Sequence, residues 1–153
     1  MSNAAMTASS RQELISFRTG SQEFCVDIMS VREIRGWTPA TPLPHSPDFV
    51  RGVINLRGAV LPVIDFSARL GLETTEPSAR HVIIVARVKE QVFGLLVDAV
   101  SDILTVTEDN VQPTPELAYD TAKQIVKGLL PIDGRMISLV SLDAMLPANL
   151  EAA

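Results

Sequence analysis

The stretch FVRGVINLRGAVLPVIDFSARLGL, residues 49–72, constrains the fold more than any other part of the chain. It holds two apolar runs, 50–56 and 59–66, joined across Arg57-Gly58. Both runs are rich in Val, Ile and Leu and of strand length, and Gly58 supplies backbone freedom for the corner, so the stretch reads as a hairpin. Pro62 removes one ladder donor, which predicts that the second strand lies at an edge or carries a bulge there. Arg57 is the exceptional residue: a guanidinium at the corner of an apolar hairpin is either a solvated turn charge or a positioned donor for a partner.

The remaining chain repeats the strand-and-turn pattern. Residues 13–19 alternate, and Gly20-Ser21 turns them into a second run, 23–28. SVREIRG (30–36) follows, and TPATPLPHSPD (38–48) holds four prolines in eleven residues, which excludes a helix. Residues 67–70 predict one helical turn ended by Gly71, and a polar, acidic loop runs on to Ser78. Apolar runs at 81–88 and 92–97 are joined by Lys89-Glu90, and 98–105 continues as a strand or an irregular edge. A second proline loop covers 110–117. Asp133-Gly134 predicts a final hairpin between 125–132 and 135–142, and a short helix is expected at 142–146. Nine or ten short strands with almost no helix indicate an all-β barrel or sandwich, and no internal repeat with a period of 20–50 residues is visible.

Composition narrows the function classes. The 153 residues suffice for one domain or for two small barrels sharing a core. No apolar run approaches the roughly 18 residues of a membrane span. The start, MSNAAMTASS, lacks the basic and apolar sections of a signal peptide. Its Ser-Asn-Ala has the look of a cloning remnant, so residues 1–12 are expected to form a disordered arm and 148–153 a tail. A single Cys25 allows no internal disulfide, which fits a reducing cytoplasm. The net charge of −5 argues against a nucleic-acid binder. Residues 1–90 carry ten basic and nine acidic side chains, whereas 91–153 carry three and nine. Ten of the 13 basic residues are Arg, which suits protein contacts.

No catalytic or metal-ligand constellation stands out, and neither a metal nor a cofactor is expected. His45 and His81 have no Cys or His neighbour at ligand spacing. Asp98 and Asp102 read as solvated acids at a strand end rather than an acid/base pair. Nucleophile elbows, phosphate-cradling glycine loops and zincin motifs are absent from the sequence. A binding module remains, and on the residues alone a small-ligand-binding barrel is one form of it.

SVREIRG, FVRGVINLRGAVLPVIDF, FGLLVDAVSDIL, VQPTPEL and VKGLLPIDGRMISLVSLD, in this order and spacing, resemble the CheW-like coupling proteins of bacterial chemosensory systems. The resemblance covers residues 13–147. It implies two small five-stranded SH3-like barrels packed together and interlocked, with a short C-terminal helix. It also implies a non-catalytic adaptor that bridges the cytoplasmic tips of methyl-accepting chemoreceptors to the histidine kinase CheA, through the kinase's own CheW-like regulatory domain. Such an adaptor would be cytoplasmic and recruited to membrane-associated receptor arrays. A coupler of a related pathway, such as pilus-based motility, is the alternative within the family.

Site residues follow from the matched motifs. Arg57, in NLRG, stands at the family's receptor-coupling arginine, and Glu33, in VREI, at its acidic position near the same groove. Val31, two residues before Glu33, is expected on the same strand face. Val82, Val100 and Ile103 align with apolar positions lining the groove between the barrels. Gln112 and Leu117, in the second proline loop, occupy positions implied for kinase contact where relatives show Arg and Phe.

Overall fold

The computed structural model describes residues 11–115 and 124–145. Among the described residues ten strands form two five-stranded sheets. In chain order they are β1 (Gln12–Thr19), β2 (Gln22–Asp27), β3 (Val31–Gly36), β4 (Val50–Leu56), β5 (Ala59–Asp65), β6 (Val82–Val88), β7 (Gln91–Val97), β8 (Ala99–Val106), β9 (Val126–Ile132) and β10 (Arg135–Val140). One sheet has the order β8-β1-β2-β10-β9 and the other β3-β6-β7-β5-β4. The chain therefore starts the first barrel, builds the whole of the second, and returns to finish the first.

The two sheets share one pairing pattern, with the chain entering it at different points. Each has two antiparallel hairpins joined by a parallel pairing, β2 with β10 in the first sheet and β7 with β5 in the second. A segment from the neighbouring loop then closes each barrel. Thr41 exchanges backbone hydrogen bonds of 2.8 and 2.9 Å with Val53 of β4. Gln112 exchanges two of 2.8 Å with Leu129 of β9. The two proline loops thus do equivalent work, since extended backbone that cannot form a helix is free to pair with an open edge. At the first closure Gly52 adopts φ +138°, and a Cβ there would collide with the Thr41 carbonyl, so only glycine fits.

Three apolar cores result. Leu14, Cys25, Leu130 and Ile137 fill the first barrel, and Leu61, Val63, Ile83 and Leu96 fill the second. The third and largest lies between the barrels, where Phe17, Phe24 and Phe66 meet with ring centroids 4.8–5.8 Å apart. Central strands are consequently buried on both faces. In β6, Ile83 and Val85 face the barrel interior while Ile84 and Ala86 face the other barrel, so HVIIVARV reads as a continuous apolar run. Burial pushes the Cys25 thiol up to about 12, as expected of a core residue.

One expectation for Pro62 is corrected. Strand β5 is an inner strand, flanked by β4 and β7. Its ladder to β7 starts only at Val63, one residue past the proline, so the missing donor costs no bond there. The bulge lies on the partner strand instead, between Val50 and Gly52. The expected helical turn is present as α1 (Phe66–Arg69), capped by the Asp65 carboxylate, which accepts from Ala68 N at 3.3 Å and Thr75 N at 2.7 Å. At the C-terminal end a 3-10 turn at Leu142–Ala144 stands where the short helix was expected. Arg69 ties this end down by donating to the Met145 and Ala144 carbonyls at 2.8 and 2.7 Å.

Candidate functional site

Arg57 and Glu33 meet although 24 residues separate them. The β4–β5 turn holds Arg57 at φ +51° and Gly58 at φ +87°, and Asn55 Oδ1 accepts the Gly58 N–H at 2.9 Å. Two successive positive φ values give the tight hairpin form that matches strand twist. This geometry aims the Arg57 guanidinium across the barrel mouth, where it donates to Glu33. Arg35, two residues along β3, donates to the other oxygen of Glu33 at 3.3 Å. The hydrogen bond from Arg57 holds the Glu33 carboxyl below its usual range, against some desolvation and with help from Arg35; the same bond raises Arg57. Arg57 remains 69% exposed, so its charge is positioned yet open to a partner.

Beside this pair lies an open cleft lined by Arg32, Leu61, Val85 and Val92, with Val60 on its rim. Val60 is 70% exposed, a large apolar side chain offered to solvent next to an ordered ion pair.

The other apolar candidates fall on a different face. Cross-strand neighbours point to the same side of a sheet. Val82 pairs with Val97 and Val100 with Phe17, and both partners belong to the core between the barrels. Ile103 pairs with Ile15, also of that core, but β8 is an edge strand and Ile103 is 61% exposed. It therefore extends the inter-barrel face past its sealed part. Ser101 and Asp102 are exposed as well, so this strand is a wet rim.

Val31 does not share a face with Glu33, contrary to the period-of-two expectation. A bulge between them puts Val31 opposite Ala86 and Glu33 opposite Val85. Ala86 faces the inter-barrel core and Val85 the interior of the second barrel, so one extra residue moves Val31 to the seam and Glu33 to the barrel mouth. The candidates thus form two groups, Glu33 with Arg57 at the mouth, and Val31, Val82, Val100 and Ile103 along the seam.

Asp98 and His81 form a contact that sequence reasoning missed. Asp98 accepts from Gly20 N at 2.8 Å and lies 3.4 Å from His81 Nε2, while His81 Nδ1 accepts from Ser78 N at 3.0 Å. Asp98, between β7 and β8, thus ties the β1–β2 turn of one sheet to the segment entering β6 of the other, and no sequence spacing marks such a pair. Gln112 closes the first barrel through its backbone and keeps an exposed side chain. Leu117 lies outside the described residues. Among the described residues no group of His, Cys, Asp and Glu is arranged to hold a metal, and no helix is long and apolar enough to cross a membrane.

Comparison with known proteins gives one consistent result. The family model described as CheW-like domain matches residues 13–149. The chain is 63% identical over 150 residues to a chemotaxis protein CheW of Rhizobium meliloti, covering 97% of both chains. It is 66% identical over 134 residues to a probable chemotaxis protein CheW of Rhizobium etli, covering 88% of this chain and 86% of that one. Its fold is similar to the crystal structure of the scaffolding protein TtCheW from Thermoanaerobacter tengcongensis, with a TM-score of 0.78 and 32% identity over 86% of this chain and 89% of that one.

Proposed function

As this chain belongs to the CheW-like domain family, we propose that it is the chemotaxis coupling adaptor of its cell, a non-catalytic scaffold linking methyl-accepting chemoreceptors to the histidine kinase CheA. The observation that carries this reading is the family match running unbroken over residues 13–149, together with relatives similar along nearly their whole length.

The receptor's helical tip lays apolar side chains along the seam at Val31, Val82, Val100 and Ile103. The Arg57–Glu33 pair at the barrel mouth fixes the register of that helix. This division of labour is supported by the exposure of Ile103 and Arg57, since a partner contacts what solvent contacts first. The kinase's CheW-like regulatory domain packs barrel to barrel on another face, near the loop at Gln112 and Leu117. The adaptor stays in the cytoplasm and reaches the membrane only by joining the receptor array. Two partners on one rigid body bias the kinase to the extent that receptor states bind the adaptor with different affinity.

The barrel interiors are filled by side chains, which disfavours a small-ligand-binding barrel. Affinity purification from the native cell tests the proposal: chemoreceptors and a CheA-type kinase should co-purify with the chain. Recovery of a pilus-motility receptor and kinase instead would assign it to the related pathway, and recovery of neither would overturn the proposal.

A further inference from the structure

Ile34 is a large apolar side chain, 45% exposed, on β3, an edge strand of its sheet. The register decides which way it faces. Cross-strand neighbours point to the same side, and Ile34 stands opposite Ile84, a fully buried member of the core between the barrels. Val31, opposite Ala86, lies on that same face. The bulge that sends Glu33 to the barrel mouth therefore brings Val31 and Ile34 together on the seam.

The first barrel has the same arrangement on β8, the edge strand of the other sheet. Val100 stands opposite Phe17 and Ile103 opposite Ile15, again with a bulge between them. The buried Ser16 hydroxyl holds this bulge, accepting from Asp102 N at 3.0 Å and donating to the Asp102 carbonyl at 3.3 Å. Ile15 and Ile84 each lie four residues before the end of their strand, β1 and β6, and Phe17 and Ala86 each lie two before it. Val31-Arg32-Glu33-Ile34 and Val100-Ser101-Asp102-Ile103 thus occupy equivalent places. Four residues alone mark no repeat; the register makes them equivalent.

Both edge strands border one seam. Val82 pairs with Gly36 at the end of β3 and with Val97 at the end of β7, and Asp98 alone separates Val97 from β8. Strands β3 and β8 therefore reach the seam at the same place and flank it, one from each barrel. Along each strand the valine and the isoleucine face inner-strand residues two apart, roughly 7 Å. Side chains at i and i+4 of a helix are about 6 Å apart along its axis, so each Val–Ile pair matches one helical turn. An added strand would meet a bulge on either edge, where the regular ladder is broken. Spacing and bulged edges together select a helix as the occupant.

We infer that Ile34 is the second anchor of the receptor site: an amphipathic helix of the receptor tip lies between β3 and β8, held by Ile34 from the second barrel and Ile103 from the first. The inference rests on the receptor reading given above and extends it. Of the seam residues named there only Ile103 is exposed, and it belongs to the first barrel; Ile34 supplies the matching contact from the second.

Titration calorimetry of the intact protein with the soluble cytoplasmic hairpin of a chemoreceptor from the same cell tests it. Ile34→Gln should weaken binding at least about tenfold, as Ile103→Gln should, because an apolar contact is lost and an amide must be desolvated in its place. Met136→Gln removes a comparably exposed apolar side chain, 58%, on β10, which β1 and β2 separate from β8; it should leave the affinity unchanged. A second measurement is independent of any effect of glutamine on the fold. The native Cys25 is buried, so Ile34→Cys and Ile103→Cys each introduce one accessible thiol, and the bound hairpin should shield both from a maleimide. Parent-like affinity of Ile34→Gln, an equal loss with Met136→Gln, or shielding at position 103 with unhindered labelling at position 34 would overturn the inference and leave the receptor reading standing. A parent chain that binds no receptor hairpin would overturn both.

Discussion

Ile103→Gln separates the proposed docking seam from core packing, because the structure pairs Ile103 with a residue of opposite burial. Ile15 lies directly across the ladder and is 5% exposed, whereas Ile103 is 61% exposed. Full burial of an isoleucine side chain contributes about 1.5–3 kcal/mol. The buried two-fifths of Ile103 therefore contribute roughly 1 kcal/mol at most, and a glutamine amide at that rim stays hydrated. The same change at Ile15 removes a core side chain and buries an amide without partners, costing about 3–5 kcal/mol. At about 2–4 °C per kcal/mol for a chain of this size, Ile103→Gln should lower Tm by no more than about 4 °C and Ile15→Gln by about 6–20 °C. Differential scanning calorimetry on both variants reads this difference, and a pull-down with a receptor tip reads binding. Ile103→Gln should keep the melt and lose the receptor. A melt lowered as far as that of Ile15→Gln would make Ile103 a core residue. An intact melt with intact receptor binding would remove it from the docking surface.

Other consequences follow from single contacts. Arg57→Ala should weaken receptor binding by titration calorimetry while leaving the melting transition unchanged; the same variant should raise the Glu33 pKa in an NMR titration, because the hydrogen bond holding that carboxylate ionised is gone. With Arg57 present, the depressed Glu33 pKa makes the pair's contribution complete above the ordinary carboxylate range and lost as pH falls through the folded-state value, so receptor affinity should drop on acidification. Gly52→Ala should cost about 1–3 kcal/mol in backbone strain, plus the displacement of Thr41, and urea denaturation should show the lower midpoint. Cys25, with its thiol raised to about 12, should resist a thiol reagent at pH 8 in the native state and react quickly in denaturant.

The legibility of the fold followed the range of the interactions. Hairpin corners at Arg57-Gly58, Lys89-Glu90 and Asp133-Gly134 were readable because turn chemistry is local, and each indeed contains a residue with positive φ. Strand positions were readable to within one or two residues for the same reason. No sequence repeat shows that both barrels share one strand-pairing pattern, since the first barrel is assembled from residues on either side of the second and side chains filling equivalent places differ.

The candidate site divides along the same line. Arg57 and Glu33 were picked out through the NLRG and VREI motifs, and Val82, Val100 and Ile103 through the family resemblance that aligns them with groove positions. Their partners and faces were decided only by tertiary structure. The Arg57–Glu33 pair joins a turn to a strand 24 residues away, and the His81–Asp98 strut links segments that only barrel packing brings together. A single bulged residue between Val31 and Glu33 sent the two side chains to opposite sides of the sheet. Alternation along a strand is a local rule that an inserted residue inverts, and whether one is inserted depends on how β3 must bend to pair with β6, which no run of six residues encodes by itself.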